Sequence, residues 1–305
     1  MIDAQVKREE QLAARNHEVQ RVLWIVLVLN LVVAVAKLCY GTITGSISMR
    51  ADGIASVFDT VSNLVGILGM ALAARPADDN HPYGHAKFET YASAAIGLML
   101  LMAAFNVGRD AVQALITGTH TLRVDVGSYL VMIGTLAINV AVSMYERKKS
   151  AELKSEVLMA DSRHTMSDAL VSVSVIVALV LSQTGFVMAD ALCSALVAVA
   201  ILHSAWEVFL QVNHTLSDEA RLDASAVEAL VLSVEDVRGC HRIRTRGTEA
   251  EVYLDLHVLV DPSMSILEAH RIGEVVEERL AQSFPQVVEV MVHLEPDTAH
   301  ERAEA

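Results

Sequence analysis

Two stretches of the sequence carry aspartates at the same spacing inside long apolar runs. ADGIASVFD covers Ala51–Asp59, and ADSRHTMSD covers Ala160–Asp168. In each stretch one aspartate follows another by seven residues, and only the second stretch adds a histidine, His164. A charged side chain at the centre of a bilayer costs about 2.5–3.5 kcal/mol, so such residues usually face the interior of a helix bundle and mark a pathway. The spacing therefore indicates a polar site inside a membrane protein.

His164 and Asp168 stand four residues apart, so on a helix they share one face. A neutral imidazole nitrogen and a carboxylate oxygen at that distance can chelate one divalent ion. Zinc accepts this ligand mixture, and iron(II), cobalt and manganese accept it too. If the two apolar helices pack together, Asp59 supplies a third ligand, and water or a backbone carbonyl could supply a fourth. The alternative is that the three residues are buried hydrogen-bonding groups that hold helices together.

Asp52 and Asp161 stand seven residues before Asp59 and Asp168, near the predicted helix starts. We interpret them as N-terminal caps, because a carboxylate there accepts hydrogen bonds from free N–H groups and meets the positive end of the helix dipole. Two alternatives stay open. Either aspartate could bind an ion directly, or the two could form an acidic lining at the mouth of the pathway.

The elements that must position these residues are membrane helices. The chain has 305 residues, 53% of them hydrophobic, and a mean hydropathy of +0.41. Apolar runs of about 18 or more residues predict membrane spans. Six such runs occur, at roughly Val22–Tyr40, Ile54–Ala74, Tyr91–Ile116, Val126–Tyr145, Ser162–Leu181 and Asp190–Val212. The polar and charged first twenty residues are not typical of a signal peptide.

The distribution of basic residues predicts the orientation of these spans. Lys and Arg gather before span one, beside the loop after span two, and between spans four and five. This bias predicts that both termini face the cytoplasm. Spans two and five then run in opposite directions, and the drawn boundaries place Asp59 nearer the outside and Asp168 nearer the inside. The two aspartates can meet only if at least one helix begins earlier than its apolar run.

Charge and cysteine content exclude several kinds of site. The formal net charge is -14, which argues against nucleic-acid binding because that activity needs a basic face. The three cysteines, Cys39, Cys193 and Cys240, lie far apart and form no CxxC motif. They predict neither a disulfide framework nor a thiolate metal cluster.

The character of the sequence changes after about Val212, which predicts a membrane domain over 1–212 and a second domain over 213–305. The second domain shows the element order α-β-β-α-β and predicts a small α+β sandwich of the ferredoxin-like or metallochaperone-like kind. Its elements are Asp223–Val234, Cys240–Arg246, Val252–Val260, Ser265–Phe284 and Val287–Glu295. Ser265 and Glu268 form a capping-box pattern at the start of the second helix. The polar end from Pro296 is expected to be frayed.

The chain resembles the cation diffusion facilitator family of divalent-metal transporters over nearly its whole length. The resemblance rests on TGSISMRADGIASVFD entering span two, PADDNHPYGHAKFE after it, HTMSD in span five, and the α-β-β-α-β tail. In that family the transport site takes two residues four apart from span two and two from span five. This sequence matches Asp59, His164 and Asp168, and it has Ala55 where the family usually has His or Asp. A site of three residues is expected to be looser and less selective for zinc.

The resemblance implies a second metal site in the loop after span two. Asp78, His81 and His85 resemble an interfacial site of some family members. Their His-x3-His spacing suits one helical turn, but Pro82 and Gly84 interrupt regular geometry, so spacing alone does not predict whether they meet. The alternative is a loop whose polar residues form hydrogen bonds at the membrane surface.

The resemblance also implies a cytosolic binuclear zinc site in the tail. Its residues would be His241, His257, His270, His293 and Glu295. His257 lies on the polar face of its predicted strand, as a ligand must. His270 on the helix would either bridge two ions or lie beside them. The alternative is a set of ordinary surface histidines.

The function that the resemblance implies is exchange of cytosolic metal ions for protons by a homodimer joined largely through the tails. The expected location is the inner (cytoplasmic) membrane. Metal ligands must be deprotonated, so metal ions and protons compete for the same atoms. Zinc and iron(II) are the first candidates for the cargo, followed by manganese, cobalt and cadmium.

Two other function classes would need different residues. A membrane-embedded hydrolase would need an HExxH motif or a Ser/Lys pair within a span. HExxH does not occur, and Lys37 in span one is interpreted as a snorkelling side chain or a member of an interior pair. A metal sensor or scaffold that does not transport is favoured by Ala55 and disfavoured by the other three transport-site residues.

Overall fold

A computed structural model describes residues 2–43, 47–117, 126–183 and 189–304. The chain divides into two compact units, which are described separately. One unit is Arg15–Val212, and the other is Asn213–Ala305 with the N-terminal residues up to Ala14. The side chains of Asp52, Ala55 and Asp59 lie outside the described part of the structure.

Six long helices precede the tail in the described part of the chain, which confirms the predicted helical membrane bundle. They are α1 (Ile2–Ile43), α2 (Ile47–Ala73), α3 (Lys87–Thr117), α4 (Val126–Leu153), α5 (Glu156–Gln183) and α6 (Ala189–Leu216). Among the described residues, four segments are long and apolar enough to cross a membrane. These are Glu10–Tyr40, Lys87–Gln113, Leu130–Leu153 and Ala195–Leu216, and α2 adds the shorter apolar stretch Thr60–Ala73.

The helical unit is apolar outside and partly polar inside. Phe105 and Trp206 are 69% and 61% exposed, whereas Asn63, Asp161 and His164 are buried. This arrangement is the reverse of a soluble protein, and it suits a bilayer. Lipid offers no hydrogen-bond partners, so polar side chains must find them within the bundle.

Helices α2 and α5 begin earlier than their apolar runs predicted. Their first residues are Ile47 and Glu156, whereas the runs began at Ile54 and Ser162. A hydropathy profile identifies the apolar part of a helix. It does not identify the polar residues that extend the same helix at its ends. Helix α1 extends in the same way beyond its apolar run, back to Ile2.

One end of the helical unit is held by a largely buried ion pair that we call the Arg15 clasp. The Arg15 guanidinium donates to Glu89 Oε2 of α3 at 2.9 Å, and to the carbonyl oxygens of Leu153 and Lys154 at 2.7 and 2.9 Å. Ser155 donates to the other oxygen of Glu89. The clasp therefore joins α1, α3 and the junction between α4 and α5.

The tail unit has the predicted element order, followed by a short helix. Its elements are α7 (Ala224–Val231), β1 (Gly239–Gly247), β2 (Val252–Val260), α8 (Ile266–Ser283), β3 (Val287–Pro296) and α9 (Ala299–Glu304). The sheet order is β1-β2-β3, in which β1 pairs antiparallel and β3 parallel with β2. The α+β prediction is confirmed. The end that was expected to fray instead forms α9.

One face of the sheet packs against the helices, and the other carries histidines. Leu254 and Leu256 of β2 are buried and belong to the same core cluster as Val276 and Leu280 of α8. The predicted capping box of Ser265 and Glu268 is present at the start of α8. Because strand residues alternate between faces, the side chains between these leucines lie on the opposite side, where histidines gather.

Candidate metal sites

The register between α2 and α5 determines where their predicted ligands stand. Asn63 of α2 donates to the Asp161 carboxylate of α5. Three residues further along α2, Gly66 lies against Val157, which is four residues back along α5. The two helices therefore run antiparallel, and a step forward on one is a step back on the other.

This register places the backbone of Asp59 level with α5 residue 165. Asp59 comes one helical turn before Asn63, so its level lies one turn beyond Asp161, between His164 and Asp168. The earlier helix starts remove the mismatch between the aspartates that the drawn spans had implied. The Asp59 side chain lies outside the described residues, and its part in the site stays a prediction.

His164 is buried in an environment that a metal ligand could occupy. Its side chain is buried, and neither ring nitrogen has a hydrogen-bond partner among the described residues. An unpartnered buried polar group costs about 1–3 kcal/mol. Such an imidazole is therefore costly unless it binds a group outside the described side chains. Asp168 follows one turn later and is half-buried.

The interpretation of Asp52 and Asp161 as helix caps is wrong. Helix α5 begins at Glu156, so Asp161 lies more than one turn inside it, and Asp52 likewise lies inside α2. N–H groups at these depths are already engaged in the helix. Asp161 is instead fully buried and bonded to Asn63.

The loop between α2 and α3 brings its three predicted residues together. Their ligand atoms all lie within 4.8 Å of one another. Asp78 Oδ1 is 3.2 Å from His81 Nδ1, and Asp78 Oδ2 is 3.4 Å from His85 Nε2. Gly84 follows His81 with a φ of 81° and lets the chain turn before α3. The irregular backbone of the loop therefore brings Asp78, His81 and His85 together, which their spacing alone did not predict.

Hydrogen bonding prepares this loop cluster for a cation. His85 Nδ1 donates to the carbonyl of Pro76 at 3.0 Å, which leaves the lone pair of the neutral ring on Nε2, facing Asp78. The backbone N–H of His81, followed by the His81 ring and the N–H of Asn80, holds the pKa of the Asp78 carboxyl below its usual value. Two acceptors thus face each other, and a metal ion or a proton would join them.

In the tail, three histidines form a row across the sheet. His241 of β1 pairs with His257 of β2, and His257 pairs with His293 of β3. Residues directly opposite on neighbouring strands share a face, so the rings meet. Glu295 lies two residues beyond His293, and its oxygens are 2.9 Å from His241 Nε2 and 2.7 Å from His257 Nδ1. His241, His257 and Glu295 can together hold a metal ion.

The Glu295 carboxylate is suited to bind a cation. Burial alone would raise its pKa, but hydrogen bonds from His257 and His241, together with the charges of these rings, hold the pKa below its usual value. Two imidazoles and one carboxylate form a ligand set that zinc accepts. His293 is largely exposed and lies 3.6 Å from Glu295, at the edge of the cluster.

Comparison with known proteins gives the family. The cation efflux transmembrane domain matches residues 23–216, and the cation efflux protein cytoplasmic domain matches residues 220–297. The chain belongs to the cation diffusion facilitator family. It is a multi-pass membrane transporter for metal-cation efflux and not an enzyme.

Similar family members come from distant organisms. An uncharacterized transporter of Methanocaldococcus jannaschii is 34% identical, over 91% of this chain and 98% of that protein. Metal tolerance protein C1 of Arabidopsis thaliana is 30% identical, over 94% of this chain and 64% of its own length. The cation-efflux pump FieF of Pectobacterium atrosepticum is 29% identical, over 84% and 85% of the two chains.

The structure does not bring His270 of this cation diffusion facilitator into the tail cluster. His270 is exposed, and its Nε2 lies 3.7 Å from Glu274 of the same helix. It precedes the buried Ile272 by two residues, or roughly 200° around α8, and so lies on the outer side of the helix. Its role as a bridging ligand stays a prediction.

Three charged groups of this transporter are buried, and only Lys37 was given a place from the sequence, as a snorkelling side chain or a member of an interior pair. The amino group of Lys37 donates to Ser56 Oγ at 3.0 Å, so this side chain lies inside the bundle and does not snorkel. Glu146 is fully buried in α4, and Glu89 is buried in the clasp. The sequence shows that each of these charged residues lies within or beside an apolar run. It does not show their partners, because helix packing decides which residues meet.

Cys240 is adjacent to the tail cluster but is not suited to be a thiolate ligand. Burial, followed by the charge of Glu228, raises the pKa of its thiol to about 11. We therefore expect Cys240 to alkylate slowly at pH 7–8, since its raised pKa leaves about 100-fold fewer thiolates than an ordinary thiol has. Site-resolved mass spectrometry of the folded and the detergent-unfolded chain measures this ratio. Equal rates in the two states would contradict the assignment.

Proposed function

We propose that this transporter exchanges divalent transition metal ions for protons, with zinc or iron(II) as the first cargo and manganese, cobalt and cadmium as further ones. The observation that carries the proposal is His164, buried with two unpartnered ring nitrogens, one turn from Asp168 and level with Asp59. A site of one nitrogen and two carboxylates suits these ions. The same atoms bind protons, so metal and protons compete for them.

The proposed setting is the inner (cytoplasmic) membrane, with both termini in the cytoplasm. Basic residues in the loops support this orientation. Residues 1–212 would form the membrane domain, and residues 213–305 a cytosolic domain that joins two copies. In this setting the loop cluster and the tail cluster both face the metal ions of the cytoplasm.

The two outer clusters are proposed as metal sites with separate tasks. Asp78, His81 and His85 would bind an ion at the membrane surface. His241, His257 and Glu295 would bind zinc in the tail, with His293 and His270 as neighbouring residues. An ion in the tail would favour the dimer shape that is competent for transport.

The second candidate function is a metal sensor that does not transport. The observation in its favour is Ala55, which stands where the family usually has a ligand. A sensor would keep the tail cluster and lose the ion path, so the two functions differ in flux and not in metal binding.

Flux measurements distinguish these functions. We expect liposomes containing the full chain to take up zinc, iron(II), manganese or cadmium only when a pH gradient is present. The variant Asp168→Ala should lose this uptake, while Asp79→Ala, an exposed loop aspartate outside the cluster, should keep it. Uptake that persists without the gradient would contradict proton coupling. If no metal is transported but the protein still binds zinc, the result would favour the metal-sensor function.

A further inference from the structure

A second buried acidic site lies one turn from His164, outside all the proposed metal sites. Glu146 of α4 and Asp161 of α5 are both 0% exposed. Thr165, one turn beyond Asp161 on α5, is hydrogen-bonded to Glu146, so the two carboxyl groups lie side by side and interact. The two residues come from neighbouring helices, and Asp161 precedes His164 by three residues.

The groups that face this pair are neutral donors. Thr165 Oγ1 donates to Glu146 Oε2 at 3.3 Å, and the Asn63 amide donates to Asp161 Oδ2. Asn63 in turn accepts from Asn30 of α1 at 2.8 Å. The remaining oxygens, Oε1 of Glu146 and Oδ1 of Asp161, have no donor among the described residues. Within that part of the chain, Asp161 is the only charged group that acts on Glu146.

Charged side chains on the surrounding helices are engaged elsewhere. Glu89 of α3 is bonded to Arg15 of α1, and Arg163 of α5 pairs with Glu207 of α6 at 3.2 Å. The pair therefore has no counter-charge among these groups. His164 lies one turn from Asp161 along α5.

Two adjacent buried carboxylates without a counter-charge cannot both stay ionised. Like-charge repulsion and the loss of hydration both favour the state in which one group holds a proton. That proton also supplies the donor that the unpartnered oxygens lack. A carboxyl and a carboxylate joined by one proton have half the charge of two carboxylates.

A metal ion suits the pair less well than a proton. The Asn63 amide must present its N–H to Asp161, because a carboxylate only accepts. Thr165 likewise presents its O–H to Glu146. These two donors engage Oδ2 of Asp161 and Oε2 of Glu146, which leaves one oxygen on each group, and a single shared proton can join those two oxygens. Neutral donors of this kind stabilise a single remaining negative charge.

We propose that Glu146 and Asp161 form a proton-binding pair that holds one proton while the transport site lacks metal. Arrival of a divalent ion near His164 adds positive charge one turn away, and the proton then leaves the carboxyl pair for water. The pair would thus supply one of the protons exchanged for each metal ion. This inference rests on the proposed proton-coupled transport, and the pair is separate from the metal ligands.

Infrared difference spectra of the full chain test for the proton itself. Adding zinc to the metal-free wild type should remove a protonated-carboxyl band, which shifts in heavy water. Glu146→Gln and Asp161→Asn preserve shape and should each lack the band. Glu152→Gln, an exposed position on the same helix, should keep it. A wild type without this band, or a band that survives in both pair variants, would overturn the proposal.

Proton counting in liposomes tests the coupling. Simultaneous recording of metal uptake and internal pH gives the number of protons exchanged per metal ion. We expect Glu146→Gln to lower that number by one while zinc still moves. If the wild type moves metal but no protons, the proposed antiport fails, whatever the infrared band shows. If the wild type exchanges protons and Glu146→Gln exchanges the same number, the inference about the pair fails alone.

Discussion

Replacing His164 by alanine is expected to lower metal flux by more than about 100-fold, because even the outer partners of metal ligands cost about 10–100-fold in affinity when removed. The variant removes the one nitrogen ligand of the proposed site and leaves carboxylates. The ranking of metals should therefore change as well, with zinc losing more than manganese, since imidazole suits zinc and carboxylates suit manganese. Uptake of both ions into liposomes, measured side by side, gives the flux and the ranking.

A histidine elsewhere in the bundle provides the matched control. His203 of α6 is exposed and lies 3.8 Å from Glu207. The variant His203→Ala removes the same chemical group from a place outside the site, so its flux should equal that of the wild type. If His164→Ala kept both the flux and the metal ranking of the wild type, His164 would not be a transport ligand.

Replacing Glu89 by alanine is expected to destabilise the helical unit by about 3–5 kcal/mol, because it leaves the largely buried Arg15 guanidinium without its carboxylate. The carbonyl oxygens of Leu153 and Lys154 would remain as partners, but they carry no full charge. A unit of this size loses about 2–4 °C per kcal/mol, so the midpoint of thermal denaturation in detergent should fall by about 6–20 °C.

An exposed ion pair near the same end serves as the comparison. Glu152 lies 2.8 Å from Lys149 at the surface of α4. Solvent and salt screen exposed pairs, so Glu152→Ala should shift the midpoint by no more than a few degrees. Equal shifts for the two variants would mean that the Arg15 clasp is no stronger than a surface contact.

Local patterns predicted the tail well because its elements depend on neighbouring residues. The alternation of β2 and the capping box of α8 both follow from spacings of a few residues, and both are present. The row of histidines was predicted only by resemblance, since it requires the pairing of β1, β2 and β3. That pairing also explains why His270, on a helix, lies apart from the row.

In the helical unit the sequence did not predict which polar residues pair, because the partners lie far apart along the chain. Arg15 and Glu89 are 74 residues apart, and Asn63 and Asp161 are 98 apart. No periodicity relates such pairs, because the register of helix packing decides them. Apolar runs predicted six helices, but their ends were misplaced where polar residues continue the backbone. Asp161 was mistaken for a cap for this reason.

The Arg15 clasp has a consequence for the populations of the transport cycle. A motion that separates α1, α3 and the α4–α5 junction at this end must break the buried pair. At about 3–5 kcal/mol, such a state would be disfavoured by about 100-fold to several thousand-fold, since each 1.4 kcal/mol is tenfold. Among the described residues, helices α2 and α6 contribute no side chain to the clasp, so a displacement of either helix would leave it intact.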